Sequence, residues 1–186
     1  MITKEKQNEF MKRAYQIAKE HGFHKNELSI EHYLMLVITE ISEVIDADRH
    51  GRNLKGDLGM FEDALRTKPF KYCFEEYVKD SVEDELADVC IRIYDMCYAL
   101  NIHPTTDVFD FENNEDDFAN KSLNEKCYCL CCILCDREDY DYDTRFGCAL
   151  AMIYYICDLL KVDIETHIKL KMQYNETRPY RNGKKY

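Results

Sequence analysis

Three observations predict an all-α fold. Apolar residues recur at a helical period almost throughout the chain. Only 6 Gly and 3 Pro among 186 residues leave few places for tight turns. A hydrophobic content of 46% beside 33% charged residues is that of a globular chain, too apolar for disorder. The expectation is a single domain over residues 1–186, a helical bundle of about five main helices, long enough to bury a core without disulfide staples.

The first helix runs from about residue 4 to 21, with Phe10, Ala14, Ile17 and Ala18 on one face and Gly22 at its end. Ser29 is placed to cap a second helix that carries Leu34, Val37, Ile38, Ile41, Val44 and Ile45 and reaches about His50. Three glycines between Gly51 and Gly59 predict a loop. Residues 60–68 suit a short helix before Pro69. A third long helix over about 72–101 carries Val82, Leu86, Val89, Cys90, Ile93, Met96, Cys97 and Leu100, and His103-Pro104 ends it. Residues 105–117 are acidic and weakly hydrophobic, the composition of a solvated connection. Two further helices, about 118–137 and 143–174, complete the chain. The first of these and the start of the second are apolar on nearly every side, which predicts central burial or packing on another subunit.

The formal net charge of −11 argues against coating duplex DNA or an anionic membrane, so neither nucleic acid nor membrane is expected as a partner. No stretch approaches the roughly 18 apolar residues that span a bilayer. The opening Met-Ile-Thr-Lys-Glu-Lys-Gln lacks the apolar run of a signal peptide. The 10 cysteines are therefore expected to be reduced, in a cytoplasmic protein. Five of them, Cys127, Cys129, Cys131, Cys132 and Cys135, crowd one segment without the second ligand pair that a zinc site needs. They read as small apolar residues of a buried helix.

The chemistry lies in four carboxylates. The second helix contains Glu40-Ile-Ser-Glu43 and the third Glu85-Leu-Ala-Asp88. Each pair is spaced i,i+3 and shares a helix face. At about 100° per residue, Glu40 lies roughly 60° behind Val37, and Glu85 roughly 40° behind Val89. Both pairs thus begin at the edge of the buried stripe, and packing the stripes together gathers four acids. Such a cluster repels itself unless cations fill it, and oxygen donors of this kind suit Mg²⁺ or Mn²⁺. A carboxylate-bridged di-iron site would need Glu-x-x-His on two helices, and no Glu here has a His three residues on. Arg92, one turn beyond Asp88, is expected to pair with Asp88 and Asp95. From Lys169 onward, six basic residues face one acid, Glu176, a basic tail of +5 that suits either a solubilising, salt-bridging arm or a clamp for an anionic substrate.

These motifs resemble the all-α nucleoside triphosphate pyrophosphohydrolases, the superfamily of MazG, the dimeric dUTPases and the dCTP pyrophosphatases. Thr39-Glu40-Ile-Ser-Glu43 resembles the family's Glu-Glu-x-x-Glu helix, with Thr39 where the fuller motif has a further Glu. Glu83-Asp-Glu85-Leu-Ala-Asp88 resembles its Glu-x-x-Asp helix. Lys171-Met-Gln-Tyr174-Asn175-Glu-Thr-Arg178 resembles the Lys-x-x-x-Asn-x-x-Arg segment of dimeric dUTPases. The resemblance implies a MazG-like core with residues about 51–80 inserted and extra C-terminal helices. It implies that Glu40, Glu43, Glu85 and Asp88 hold two or more Mg²⁺ ions, with Mn²⁺ as a substitute. Glu40 or Glu43 would be the catalytic base, and Lys171, Asn175 and Arg178 would grip substrate phosphate. The implied reaction converts a (deoxy)nucleoside triphosphate and water to the monophosphate and pyrophosphate, clearing the nucleotide pool, in a homodimer. The alternative is a non-catalytic helical protein that oligomerises or binds a partner, its acidic site degenerate, as Thr39 suggests. No aromatic residue is assigned to a base pocket.

Overall fold

The structure, a computed structural model, describes residues 2–54, 57–106, 115–136 and 140–180. Among them every regular element is a helix: α1 (Lys4–Glu20), α2 (Ile30–Arg49), α3 (Gly59–Leu65), α4 (Phe70–Tyr77), α5 (Val82–Ala99), α6 (Glu115–Asn120), α7 (Leu123–Cys135), α8 (Tyr142–Leu160) and α9 (Ile164–Glu176). None is long and apolar enough to cross a membrane. Most of the acidic connection, residues 107–114, and the basic positions Arg181, Lys184 and Lys185 lie outside the described residues.

The starts follow from short polar caps that accept otherwise unpaired backbone N–H groups. Thr3 accepts from Lys6, Ser29 from His32, Ser81 from Asp84, and Asp141 from Thr144. Ser122 and Glu125 form a reciprocal capping box at α7.

The expected 118–137 helix is split between Asn120 and Leu123, where Ser122 caps α7, and two longer ones are also broken in two. The 72–101 helix stops at Tyr77 and restarts at Val82, because Asp80 takes a left-handed backbone (φ 62°) and Ser81 caps anew. The 143–174 helix stops at Leu160, where Lys161 is left-handed (φ 61°), and Asp163 caps α9 by accepting from the Thr166 N–H. Neither break carries the Gly or Pro that usually marks one. The acidic connection also ends earlier than expected, since residues 115–117 already belong to α6.

Helix α5 is the central element, packed against α1, α2, α8 and α9. Fourteen of its 18 residues, Val82 to Cys97 apart from Asp88 and Arg92, are buried. Helix α7 is less central than its composition suggests. Tyr128, Cys132 and Cys135 are exposed, and only Cys127, Leu130 and Leu134 of its apolar side chains are buried. All ten cysteines are free thiols. The described residues of the 51–80 stretch build a second small core from Phe61, Cys73, Phe74 and Val78 around Tyr174 of α9. Glu83 accepts the Leu54 N–H with both carboxylate oxygens, at 2.9 and 3.0 Å, and so ties the loop to α5.

Gly147 of α8 lets the segment after α5 pass at close range. A Cβ there would lie 2.2 Å from the Thr105 carbonyl oxygen, a backbone atom with little room to retreat. Alanine would gain helix propensity of about 1 kcal/mol. The clash outweighs it, so Gly147→Ala is expected to lose a net 1–3 kcal/mol or so, read as a lower urea midpoint at unchanged m.

Candidate metal and phosphate site

Three helices build the site. Helix α2 supplies Glu40 and Glu43, α5 supplies Asp84, Glu85, Asp88 and Arg92, and α9 supplies Lys171 and Asn175, with Arg178 just beyond its end. All seven residues that the sequence singled out line one cleft, beside Phe23 and the small residues Ala14 and Ala18. The packing of α2 on α5 brings Glu40, Glu43 and Glu85 together, with one oxygen of each within 4.8 Å of the others. Glu40 and Glu85 are buried and Glu43 is exposed, so the trio sits at the inner wall of the opening. Thr39 stays out of it, because its hydroxyl donates to the Met35 carbonyl at 2.9 Å.

Asp88 is placed differently. Its Oδ2 lies 2.9 Å from Lys171 Nζ, and the same ammonium lies 2.6 Å from Asp84 Oδ2. Lys171, expected to reach for phosphate, is instead buried between two carboxylates. Asp84 Oδ2 also accepts the Asp80 N–H, a bond that the left-handed turn before α5 makes possible. Arg92 pairs with Glu40 through Nε at 2.8 Å, where the sequence pointed to Asp88 and Asp95.

Burial and mutual repulsion strain these acids. Burial, opposed by Lys171 and aided by Asp88, Asp84 and Glu43, pushes the Glu85 carboxyl up to about 8. Burial likewise raises Asp84 to about 6 against the pull of Lys171. Glu40 is raised by burial and by Asp88, and Arg92 offsets only part of this. For Lys171, burial disfavours the ammonium, but Asp88, Asp84 and Glu85 outweigh it, so the group stays charged well above its ordinary range. Glu85 Oε2 is buried without a hydrogen-bond partner, as are Asp84 Oδ1 and Asn175 Oδ1. A buried, unpaired carboxylate oxygen beside two further carboxylates is what a divalent cation would satisfy. The donor set therefore fits Mg²⁺ or Mn²⁺.

A smaller cavity adjoins this cleft and shares Phe23, Arg92 and Asp95 with it. His24 and Tyr33 complete its aromatic wall. His24 Nε2 lies 2.6 Å from Asp95 Oδ1, and its Nδ1 lies 3.2 Å from the Tyr33 hydroxyl. The tautomer that donates from Nε2 to Asp95 leaves Nδ1 to accept from the Tyr33 hydroxyl.

Sequence reasoning missed Asp84, Asp95 and His24 as members of the site. The signal for the first two was the spacing 84, 88, 92, 95, which runs down one line of α5. Nothing local marked His24. The chain matches no family model, no curated protein and no solved structure, so its function has to be read from the site's own chemistry.

Proposed function

We propose that this protein is a Mg²⁺-dependent nucleoside triphosphate pyrophosphohydrolase. The observation that carries the reading is the convergence of Glu40, Glu43 and Glu85 within 4.8 Å, in a cleft that Arg178 and Asn175 also line. Acids and a guanidinium in one cleft suit a polyanion accompanied by a divalent cation.

Glu40, Glu43 and Glu85 would hold the cation. When bound, it supplies positive charge for the phosphate chain and acidifies water. Glu43 is the exposed member of the trio and free of Arg92, so it is the group placed to take the proton of the attacking water. The water oxygen bonds to the α-phosphorus as the bond to the β-phosphate oxygen breaks. The electron pair leaves with pyrophosphate, whose charge Arg178 meets. The adjoining cavity with Phe23, His24 and Tyr33 offers aromatic faces for a base.

Product analysis on a panel of ribo- and deoxynucleoside triphosphates with Mg²⁺ tests the proposal. Monophosphate plus pyrophosphate is expected, with Glu43→Gln slower by a factor of about 10²–10⁴, the usual loss on removing a general base. Diphosphate plus phosphate would place the cut at another bond and overturn the assignment.

A further inference from the structure

Glu40, Glu43, Glu85 and Asp88 of the cleft wall, with Asp84 buried beside them, fall into two groups that are compensated in different ways. Glu40, Glu43 and Glu85 converge on one point, and Arg92 compensates one of their charges through Glu40. Two negative charges remain there, the charge of one divalent cation. Asp84 and Asp88 converge instead on the ammonium of Lys171, at 2.6 and 2.9 Å.

Several contacts hold that ammonium in place. Although Lys171 lies at the wall of the cleft, its side chain is only 5% exposed, and that of Asp84 1%. The Phe74 ring backs Nζ, its centroid 5.8 Å away. The next residue, Met172, is fully buried in the main core, and Tyr174 is stacked on Phe74 with ring centroids 4.5 Å apart. Helix α9 is thus anchored on both sides of Lys171. If the ammonium swung out, Asp84 and Asp88 would lose their counter-ion at a site where Asp84 already has one buried oxygen unpartnered.

We infer that Lys171 is a built-in cation that occupies the Asp84–Asp88 part of the acidic cluster, so that the protein takes a single divalent ion, at Glu40, Glu43 and Glu85. Asp88 is then a partner of Lys171 and not a metal ligand. Phosphate recognition passes from Lys171 to Arg178. The inference rests on reading Glu40, Glu43 and Glu85 as a cation site, and goes beyond it in fixing how many ions bind and which acid is excluded.

Calorimetric titration of the full chain with Mn²⁺, without nucleotide, tests it. Wild type is expected to bind one ion per chain, Lys171→Arg one, and Lys171→Met two, because removal of the ammonium frees Asp84 and Asp88 for a second. Asp88→Asn is expected to keep one site, with affinity lowered by less than about 100-fold, the upper end of the loss usual for a group that touches the site without binding the metal. Two saturable ions in wild type would overturn the inference while leaving the cation site standing, and this result does not depend on whether Lys171→Met folds. A loss of about 100-fold or more in Asp88→Asn would also overturn it, since that marks a direct ligand. Absence of any saturable binding in wild type would remove the cation site itself.

Discussion

Replacing Glu85 by Gln is expected to stabilise the metal-free protein at alkaline pH and, at the same time, to abolish cation binding and turnover. The two effects share one cause. Burial of the Glu85 carboxyl, opposed by Lys171 and aided by Asp88, Asp84 and Glu43, holds its pKa at about 8 against an ordinary value of 4.5. A group whose folded pKa is raised favours the fold most below its unfolded pKa, and that advantage is lost as pH rises through the folded value. The metal-free wild type should therefore weaken between about pH 4.5 and 8, and Asp84, raised from 3.8 to about 6, adds to the early part of the fall. Each tenfold change in proton affinity is worth roughly 1.4 kcal/mol, which makes the loss on the order of a few kcal/mol. Glu85→Gln removes the larger share, since an amide has no proton to lose.

Divalent cations act in the opposite direction. They require the ionised carboxylate, so binding releases a proton, and wild-type affinity should rise with pH up to about 8. At a hundred times its dissociation constant, Mg²⁺ restores about 2.7 kcal/mol to wild type and nothing to the variant. Urea unfolding at pH 6 and pH 9, with a chelator and then with Mg²⁺, separates these effects. Superimposable curves for wild type and variant would show that Glu85 carries no strain.

The second large effect belongs to Phe74. Its ring is fully buried, stacked on Tyr174, and 5.9 Å from the Phe70 ring. It is the centre of the small core that attaches residues 51–80 to α9. Phe74→Ala deletes most of that core and is expected to cost about 3–5 kcal/mol. Phe74→Leu should recover much of the loss, because it refills most of the cavity with apolar atoms while giving up the ring stack. The contact between Phe74 and Lys171 means that the alanine variant should also loosen the ammonium from Asp84 and Asp88. Amine-selective labelling of Lys171 would report this as faster modification than in wild type. A loss below about 1 kcal/mol would show that residues 51–80 contribute no packing of their own.

The small core shows where reading the sequence stopped short. The three glycines between residues 51 and 59 marked a loop, and the described residues 51–54, 57 and 58 are non-helical while Gly59 opens α3, yet nothing in the pattern said that the helices after it would close on Tyr174, about a hundred residues away. The aromatic side cavity is a similar case. Phe23, His24 and Tyr33 lie within a short stretch, but His24 gains its role only because Asp95 of α5 reaches it at 2.6 Å. The helix breaks at Asp80 and Lys161 were hidden for a local reason. Both put a non-glycine residue in the left-handed region, and the apolar period runs on through them.

The sequence by itself determined the helical class, the faces that are buried, the cap at Ser29, and the placing of Glu40, Glu43 and Glu85 at the edges of their stripes. These are consequences of local geometry, since residues three and four apart share a face wherever the helix goes. Only the tertiary structure decided how charges pair. Arg92 chose Glu40, 52 positions away, over neighbours on its own helix, and Lys171 chose Asp84, 87 positions away. An ion pair depends on which helices touch and on the azimuth of each side chain at the contact. Burial then sets its strength, because the same charges interact several times more strongly away from water.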